Sequence, residues 1–243
     1  MQIDALAVRM RARTPMEAAD LGARMCQSAS RAVYMCYLAV ALPVVALCLA
    51  SYEIATWLPP LALWWSKPWL DRTVLFVLSR AAFAQSTTLR DLWEAQRQVW
   101  WGQLFSTFTM RRVSPWRSYT QPIYQLEGLS FLEARSRVLK IRSNRTGPAL
   151  LMTSAFGFAE TALSFALSSL VFWFTPVEQA PSFAGLLAGD TSSVVIQFYL
   201  PYALAILFLE PFYVAAGFAM YLNRRAELEA WDIEQEFRRA FAQ

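Results

Sequence analysis

Histidine is absent from this chain of 243 residues, and cysteine occurs only three times. Without histidine, the chain has no Ser-His-Asp or Cys-His catalytic group, no imidazole metal site and no imidazole proton shuttle. Cys26, Cys36 and Cys48 have no metal-ligand spacing, and two of them fall in or beside a long apolar run. Neither a zinc site nor a disulfide framework is therefore expected. We predict a protein without a metal or other cofactor, without catalytic residues and without enzymatic activity.

Charged residues are scarce, at 16% of the chain against 56% for apolar residues, and they are unevenly distributed. Three runs are almost free of charge and meet or nearly meet the roughly 20 residues that cross a bilayer core of about 30 Å: 33–51, 148–174 and 194–222. A fourth apolar run, at 54–66, is long enough only if its helix continues through Lys67 to about Leu78. The basic N-terminus is not followed directly by the apolar core and cleavage site of a signal peptide.

Lysine and arginine are absent from the two segments that would join these spans on one side, at 52–53 and 175–192. On the other side, basic residues flank the spans, and the positive-inside rule assigns that side to the cytoplasm. We therefore predict an all-α membrane protein with two transmembrane hairpins and both termini in the cytoplasm. Its four transmembrane helices are expected at about 33–52, 54–74, 148–174 and 199–222.

The predicted organisation alternates cytoplasmic and membrane parts. A cytoplasmic amphipathic helix covers 1–32, the first hairpin 33–84, cytoplasmic or interfacial helices with a loop 85–146, the second hairpin 147–222, and a cytoplasmic helix 223–243. Capping boxes at Thr14 and Thr88 predict helix starts. Tryptophan and phenylalanine after Thr88 indicate a helix against the membrane surface. Ser-Pro, Gln-Pro and Glu-Gly steps predict a loop over 113–128.

Two acidic residues lie within the predicted spans. Glu160 and Glu210 are each about 12 residues from the cytoplasmic end of their span, which at 1.5 Å per residue is near mid-membrane. A carboxylate there is costly unless it faces the bundle interior, finds a partner or holds a proton. The second predicted span offers the other charged members of the candidate site, which are Lys67, Asp71, Arg72 and Arg80. Two interpretations stay open: an ion network in which Lys67 or Arg72 pairs with the glutamates and fixes helix packing, or a proton- or cation-coupled site.

Short stretches from one end of the chain to the other carry a further pattern: 17–22, 65–72, 77–83, 112–115, 122–128, 210–217, 221–225 and 229–234. Together they resemble an uncharacterised family of proteobacterial polytopic inner-membrane proteins, often encoded near MoxR-type ATPases. The resemblance implies a bacterial inner-membrane location and a role in assembling or maintaining an envelope complex. It implies no activity, substrate or catalytic residue. Glu160 lies outside these stretches, whereas Glu210 and the charged residues of the second span lie inside them.

Two functions follow as hypotheses. The first is an inner-membrane scaffold or accessory subunit of an envelope-associated complex, whose cytoplasmic belt at 86–144 and tail dock a membrane or cytoplasmic protein. The second is a small oligomeric transporter or channel component, coupled to protons or cations, that uses Glu210 with Glu160 or Lys67. Basic residues beside the spans predict contacts with anionic membrane lipids, worth about 1 kcal/mol each. Nucleic acid is not expected as a partner.

Overall fold

The computed structural model describes residues 13–102, 107–108, 114–129, 131–143, 145–174 and 194–229. Regular secondary structure in these ranges is entirely helical, which confirms the all-α prediction. The helices, in chain order, are α1 (Pro15–Ser28), α2 (Ser30–Ala50), α3 (Leu58–Ala81), α4 (Leu89–Glu94), α5 (Arg117–Leu126), α6 (Phe131–Arg142), α7 (Thr146–Phe174) and α8 (Leu200–Glu229). A 3-10 turn follows α2 at Ser51–Glu53, and π-helical turns lie at Arg97–Trp101 and Val195–Tyr199.

Within the described residues, three helical stretches are long and apolar enough to cross a membrane: Ser30–Glu53, Thr146–Phe174 and Gln197–Glu229. They correspond to the first, third and fourth predicted spans. α3 is 24 residues long but carries Lys67, Asp71 and Arg72, and it is not among them. The fourth crossing, the two hairpins and the orientation of the termini stay predictions. The predicted outer loop at 175–192 and the tail beyond Glu229 lie outside the described residues.

Both predicted capping boxes are present. The Thr14 hydroxyl accepts the Glu17 N–H at 3.3 Å, the Glu17 carboxylate accepts the Thr14 N–H at 2.9 Å, and Pro15 occupies the first helical position. Thr88 and Asp91 make the same reciprocal bonds at the start of α4. The predicted starts of α1 and α4 are therefore confirmed. The helix after Thr88 is interrupted, because α4 ends at Glu94 before the π-helical turn begins.

α8 forms the centre of the bundle and contacts α1, α3, α5 and α7. Small residues make these approaches close. Gly22 of α1 lies directly against the backbone of Ala215, and Gly217 of α8 lies against Ser118 of α5, so neither glycine has room for a Cβ. Small side chains let helix backbones approach closely in this way, as they do in membrane bundles. α8, which by sequence is one of three similar apolar spans, is thus the helix around which the others pack.

The prediction of a loop over 113–128 is wrong, because α5 occupies most of that segment. Most α5 residues are buried, and the helix packs against α8, α6 and α3. Pro122 lies inside it, where proline costs about 3 kcal/mol or more by removing a helix bond and crowding the preceding turn. Burial of Tyr119 and Ile123 in the core opposes that local cost. The local turn signals are therefore overridden by tertiary packing.

Candidate functional site

Five charged side chains meet where α3, α5, α7 and α8 come together. We call them the charged cluster, and its members are Lys67, Asp71, Arg117, Glu160 and Glu210. Each helix contributes what its register allows: α3 presents two members one turn apart, α5 presents its first residue, and α7 and α8 present one glutamate each. Three carboxyl groups face two basic groups. When all five are ionised, the cluster carries one surplus negative charge.

Lys67 joins α3 to both long helices. Its Nζ lies 2.5 Å from Glu160 Oε2 and 2.8 Å from Glu210 Oε2. The Lys67 and Glu210 side chains are almost fully buried, whereas Glu160 is somewhat more accessible. One ammonium group therefore forms ion pairs with two carboxylates from different helices. Lysine can do this because its three N–H donors point in different directions.

Arg117 makes the second bridge. Its Nε lies 2.8 Å from Asp71 Oδ2, and a terminal nitrogen donates to Glu210 Oε1. The guanidinium also stands over the Tyr213 ring, 5.2 Å from its centroid, in a cation–π arrangement. Asp71 is completely buried and Arg117 nearly so. Since removing one partner of a buried pair leaves an uncompensated charge, this bridge strongly constrains how α5 packs against α3 and α8.

A cavity of about 430 Å³ adjoins the cluster. Lys67, Arg117, Glu160 and Glu210 all line it. The remaining wall is mixed, with aromatic and hydroxyl-bearing side chains that include Trp64, Ser114, Thr153, Thr161, Tyr202 and Tyr213. The cavity is partly open, and it offers charged donors, carboxylate acceptors and hydroxyls to a small polar species.

The other two predicted site residues lie in different contacts. Arg72 donates to the carbonyl of Gln98 at 3.0 Å and to Thr107 Oγ1 at 3.2 Å, and it also contacts the Gly102 carbonyl. These bonds tie the π-helical turn to α3. Arg80 lies 3.8 Å from the Asp91 carboxylate and stacks on its neighbour Phe76. The structure therefore brings together Lys67, Asp71, Glu160 and Glu210, and it places Arg72 and Arg80 elsewhere.

Sequence reasoning missed Arg117 because it assigned this segment to a loop. A signal for the helix existed in the spacing of Trp116, Tyr119, Ile123 and Leu126, which follow one another at three- or four-residue intervals. An arginine on such a helix, next to spans that carry unbalanced glutamates, is a candidate partner for them. The proline and glycine steps around it concealed both features.

No family model matches the chain, and no curated protein or solved structure matches it either. The resemblance to a family of inner-membrane proteins therefore stays a prediction. Among the described residues, no three histidine, cysteine, aspartate or glutamate side chains are grouped as a metal site requires. The chemistry that the site offers is ion pairing, hydrogen bonding and proton exchange.

A second group of ion pairs joins α6 to the end of α8. Arg137 Nε lies 3.1 Å from Glu127 Oε2, and the same guanidinium also bonds to Glu229. Tyr221 donates to Glu127 Oε1 at 2.6 Å, and Arg225 pairs with Glu229. Partial burial opposes the charge on Arg137, but the bonds to Glu229 and Glu127 outweigh it and raise the pKa of the guanidinium. Its members do not line the cavity of about 430 Å³ beside the charged cluster.

Proposed function

We propose that the chain is a multi-pass bacterial inner-membrane protein that acts as a small proton- or cation-coupled transporter or channel component. In this proposal α2, α3, α7 and α8 cross the membrane and both termini are cytoplasmic. The observation that carries the proposal is the cavity of about 430 Å³ lined by four members of the charged cluster. A network that only fixed helix packing would need no cavity beside it.

The depth of the cluster supports this location. Glu160 is the midpoint of α7, 14 residues from Thr146 and 14 from Phe174, which corresponds to about 21 Å of helix on either side. Glu210 bonds to the same lysine and therefore lies at a similar depth. If α7 and α8 cross the membrane, the cluster and its cavity lie near the middle of the bilayer. Ionisable groups at that depth commonly mark ion or substrate pathways.

α3 is proposed as the fourth crossing because its charges are compensated within the protein. Lys67 is 7% exposed and Asp71 is 0% exposed, and both have oppositely charged partners. The 24 residues of α3 span about 36 Å, which exceeds a bilayer core of about 30 Å. α2 and α3 pack together and are joined through the short turn at Ser51–Glu53, as in a hairpin.

The sign of the cluster favours a proton or a cation over an anion. Three carboxyl groups oppose two basic groups, so a further positive charge stabilises the group as a whole. α5 brings Arg117 to this depth, and the irregular backbone at Ser114 and Pro115 lines the cavity beside it. Irregular backbone at membrane depth is tolerated where it is enclosed by protein or lines a cavity, as in the broken helices of transporters.

Flux measurement in proteoliposomes tests the proposal. Vesicles containing the wild-type chain should dissipate an imposed proton or monovalent-cation gradient faster than empty vesicles. Glu160→Gln should reduce the rate, because it removes the most accessible carboxylate of the cavity wall. Glu94→Gln is the matched control, since Glu94 is an exposed residue of α4 that pairs only with its neighbour Arg90 among the described residues. Wild-type flux no higher than that of empty vesicles would overturn the proposal.

An inner-membrane scaffold or accessory subunit is the second candidate, and the complete pairing of the charged cluster favours it. Every cluster member already has an oppositely charged partner, as a network that fixes helix packing requires. This candidate predicts that a tagged chain at native expression level co-purifies in mild detergent with a membrane or cytoplasmic protein. Repeated recovery of the chain alone, in several detergents, would contradict it.

A further inference from the structure

A separate groove of about 620 Å³ lies between the first turns of α2 and the start of α4. Much of its wall is apolar and includes Ala29, Ala32, Met35 and Leu89. Two arginines also line it, Arg31 and Arg90. The groove lies at the end of α2 that the proposed topology places in the cytoplasm. It therefore combines positive charge with an apolar surface at the level where phospholipid headgroups meet their acyl chains.

The polar groups of the groove are incompletely satisfied. Arg90 pairs with Glu94 at 3.0 Å, but Arg31 has no acidic partner among the described residues. Thr87 also lines the groove and is only 7% exposed, and within the part of the chain that the structure describes its Oγ1 has no hydrogen-bond partner. A buried hydroxyl without a partner is unfavourable, and a hydrogen bond to a ligand oxygen would remove that cost. The groove thus presents one uncompensated positive charge and one unused hydrogen-bonding group.

An apolar stripe continues from the groove along α2. Met35, Ala39, Leu42 and Ala46 are all exposed. Their spacing of four, three and four residues keeps them on one helix face, over about 16 Å. A single acyl chain could lie along such a face after its headgroup has entered the groove. The stripe runs away from the arginines, in the direction in which α2 enters the proposed bilayer.

We propose that this groove binds one anionic phospholipid of the cytoplasmic leaflet, such as phosphatidylglycerol. The phosphate lies between Arg31 and Arg90, within reach of the Thr87 hydroxyl, and one acyl chain follows the stripe on α2. The single surplus charge at Arg31 matches the single negative charge of the headgroup. The inference goes beyond transport, and it depends on the orientation of α2 but not on any activity of the cavity.

Native mass spectrometry of the full chain in detergent tests this inference, with phosphatidylglycerol and phosphatidylcholine offered in equal amounts. The wild-type chain should retain phosphatidylglycerol preferentially. Arg31→Gln should weaken that binding about fivefold, from the roughly 1 kcal/mol that one basic residue contributes at an anionic surface. Thr87→Val, which keeps the shape of the side chain, should also weaken it. The matched control is Arg135→Gln on α6, because Arg135 is exposed and does not line the groove.

Equal retention of the two lipids by the wild-type chain would overturn the inference, since it would show that the groove binds acyl chains irrespective of the headgroup charge. If Arg31→Gln and Arg135→Gln lost equal amounts of bound phosphatidylglycerol, the inference would be overturned as well. Binding would then depend on the net charge of the protein and not on a residue of the groove. Unfolding midpoints of each variant show whether the chain is folded. Since no flux is measured, the result is independent of the proposed transport function.

Discussion

α7 and α8 are similar in length and apolar character but lie in opposite environments. The most apolar window of α8 is 78% buried inside the protein, whereas that of α7 is 6% buried. α7 exposes large side chains every seven residues, at Leu151, Phe158, Phe165 and Phe172. α8 instead presents small residues to its neighbours, including Gly217. Hydropathy measures only the avoidance of water, so it does not distinguish a helix that faces lipid from one that packs inside the protein. Side-chain size does distinguish them, because small residues let neighbouring helices approach closely.

The two glutamates repeat this difference. Glu210 of α8 is bound by both Lys67 and Arg117 and is almost completely buried. Glu160 of α7 is bound by Lys67 and retains some access to the cavity. α8 therefore carries the more deeply buried glutamate of the charged cluster. α7 carries the more accessible one.

The largest expected difference is between two phenylalanines. Phe218 of α8 is 1% exposed and stacks on Tyr221, whereas Phe158 of α7 is 78% exposed. Phe218→Ala should lower the free energy of unfolding by about 3–5 kcal/mol, because it opens a cavity in the core. Phe158→Ala should change it by less than about 0.5 kcal/mol. Denaturant unfolding of the purified chain in detergent measures both, and similar losses would show that α7 is packed as tightly as α8.

The two helices also carry a matched pair of glycines. A Cβ at Gly217 would meet Ser118 of α5, whereas a Cβ at Gly157 of α7 meets nothing within 4 Å. Gly217→Ala should therefore destabilise the chain by about 1–3 kcal/mol through overpacking. Gly157→Ala should be neutral or slightly stabilising, because alanine favours the helix by up to about 1 kcal/mol. Thermal unfolding of the two variants side by side checks the prediction, and a stable Gly217→Ala chain would contradict the close approach of α5.

The smallest effect concerns reactivity at the contact between α1 and α8. Cys26 of α1 is completely buried, and burial raises the pKa of its thiol to about 11. Since the thiolate is the nucleophile, Cys26 should react with maleimide slowly at pH 7 and faster as the pH rises toward 11. Ser136→Cys supplies an exposed thiol on α6 for comparison. Peptide mapping of the modified sites measures both rates, and rapid labelling of Cys26 at neutral pH would show that α1 does not stay packed on α8.

The sequence supported prediction of the three most apolar helices and the two capping boxes because their signals are local. Runs of uncharged residues and the spacing from Thr14 to Glu17 need no knowledge of distant contacts. Glu160 and Glu210 could be assigned similar depths for the same reason. α5 was not found this way, because the turn signals of its local sequence outweighed the helical spacing of its apolar residues, and its helix depends on burial against α8. Arg117 was missed with it, and apolar content alone could not show that α8 is central while α7 is peripheral.

Glu210→Gln tests the central claim most directly, when stability and flux are measured on the same preparation. The substitution removes the surplus carboxylate and leaves the Lys67–Glu160 and Arg117–Asp71 pairs in place. We therefore expect an unfolding midpoint close to that of the wild type, together with proton or cation flux reduced to the level of empty vesicles. A folded Glu210→Gln chain with undiminished flux would contradict a coupling role for the cluster and leave it as a network that fixes helix packing.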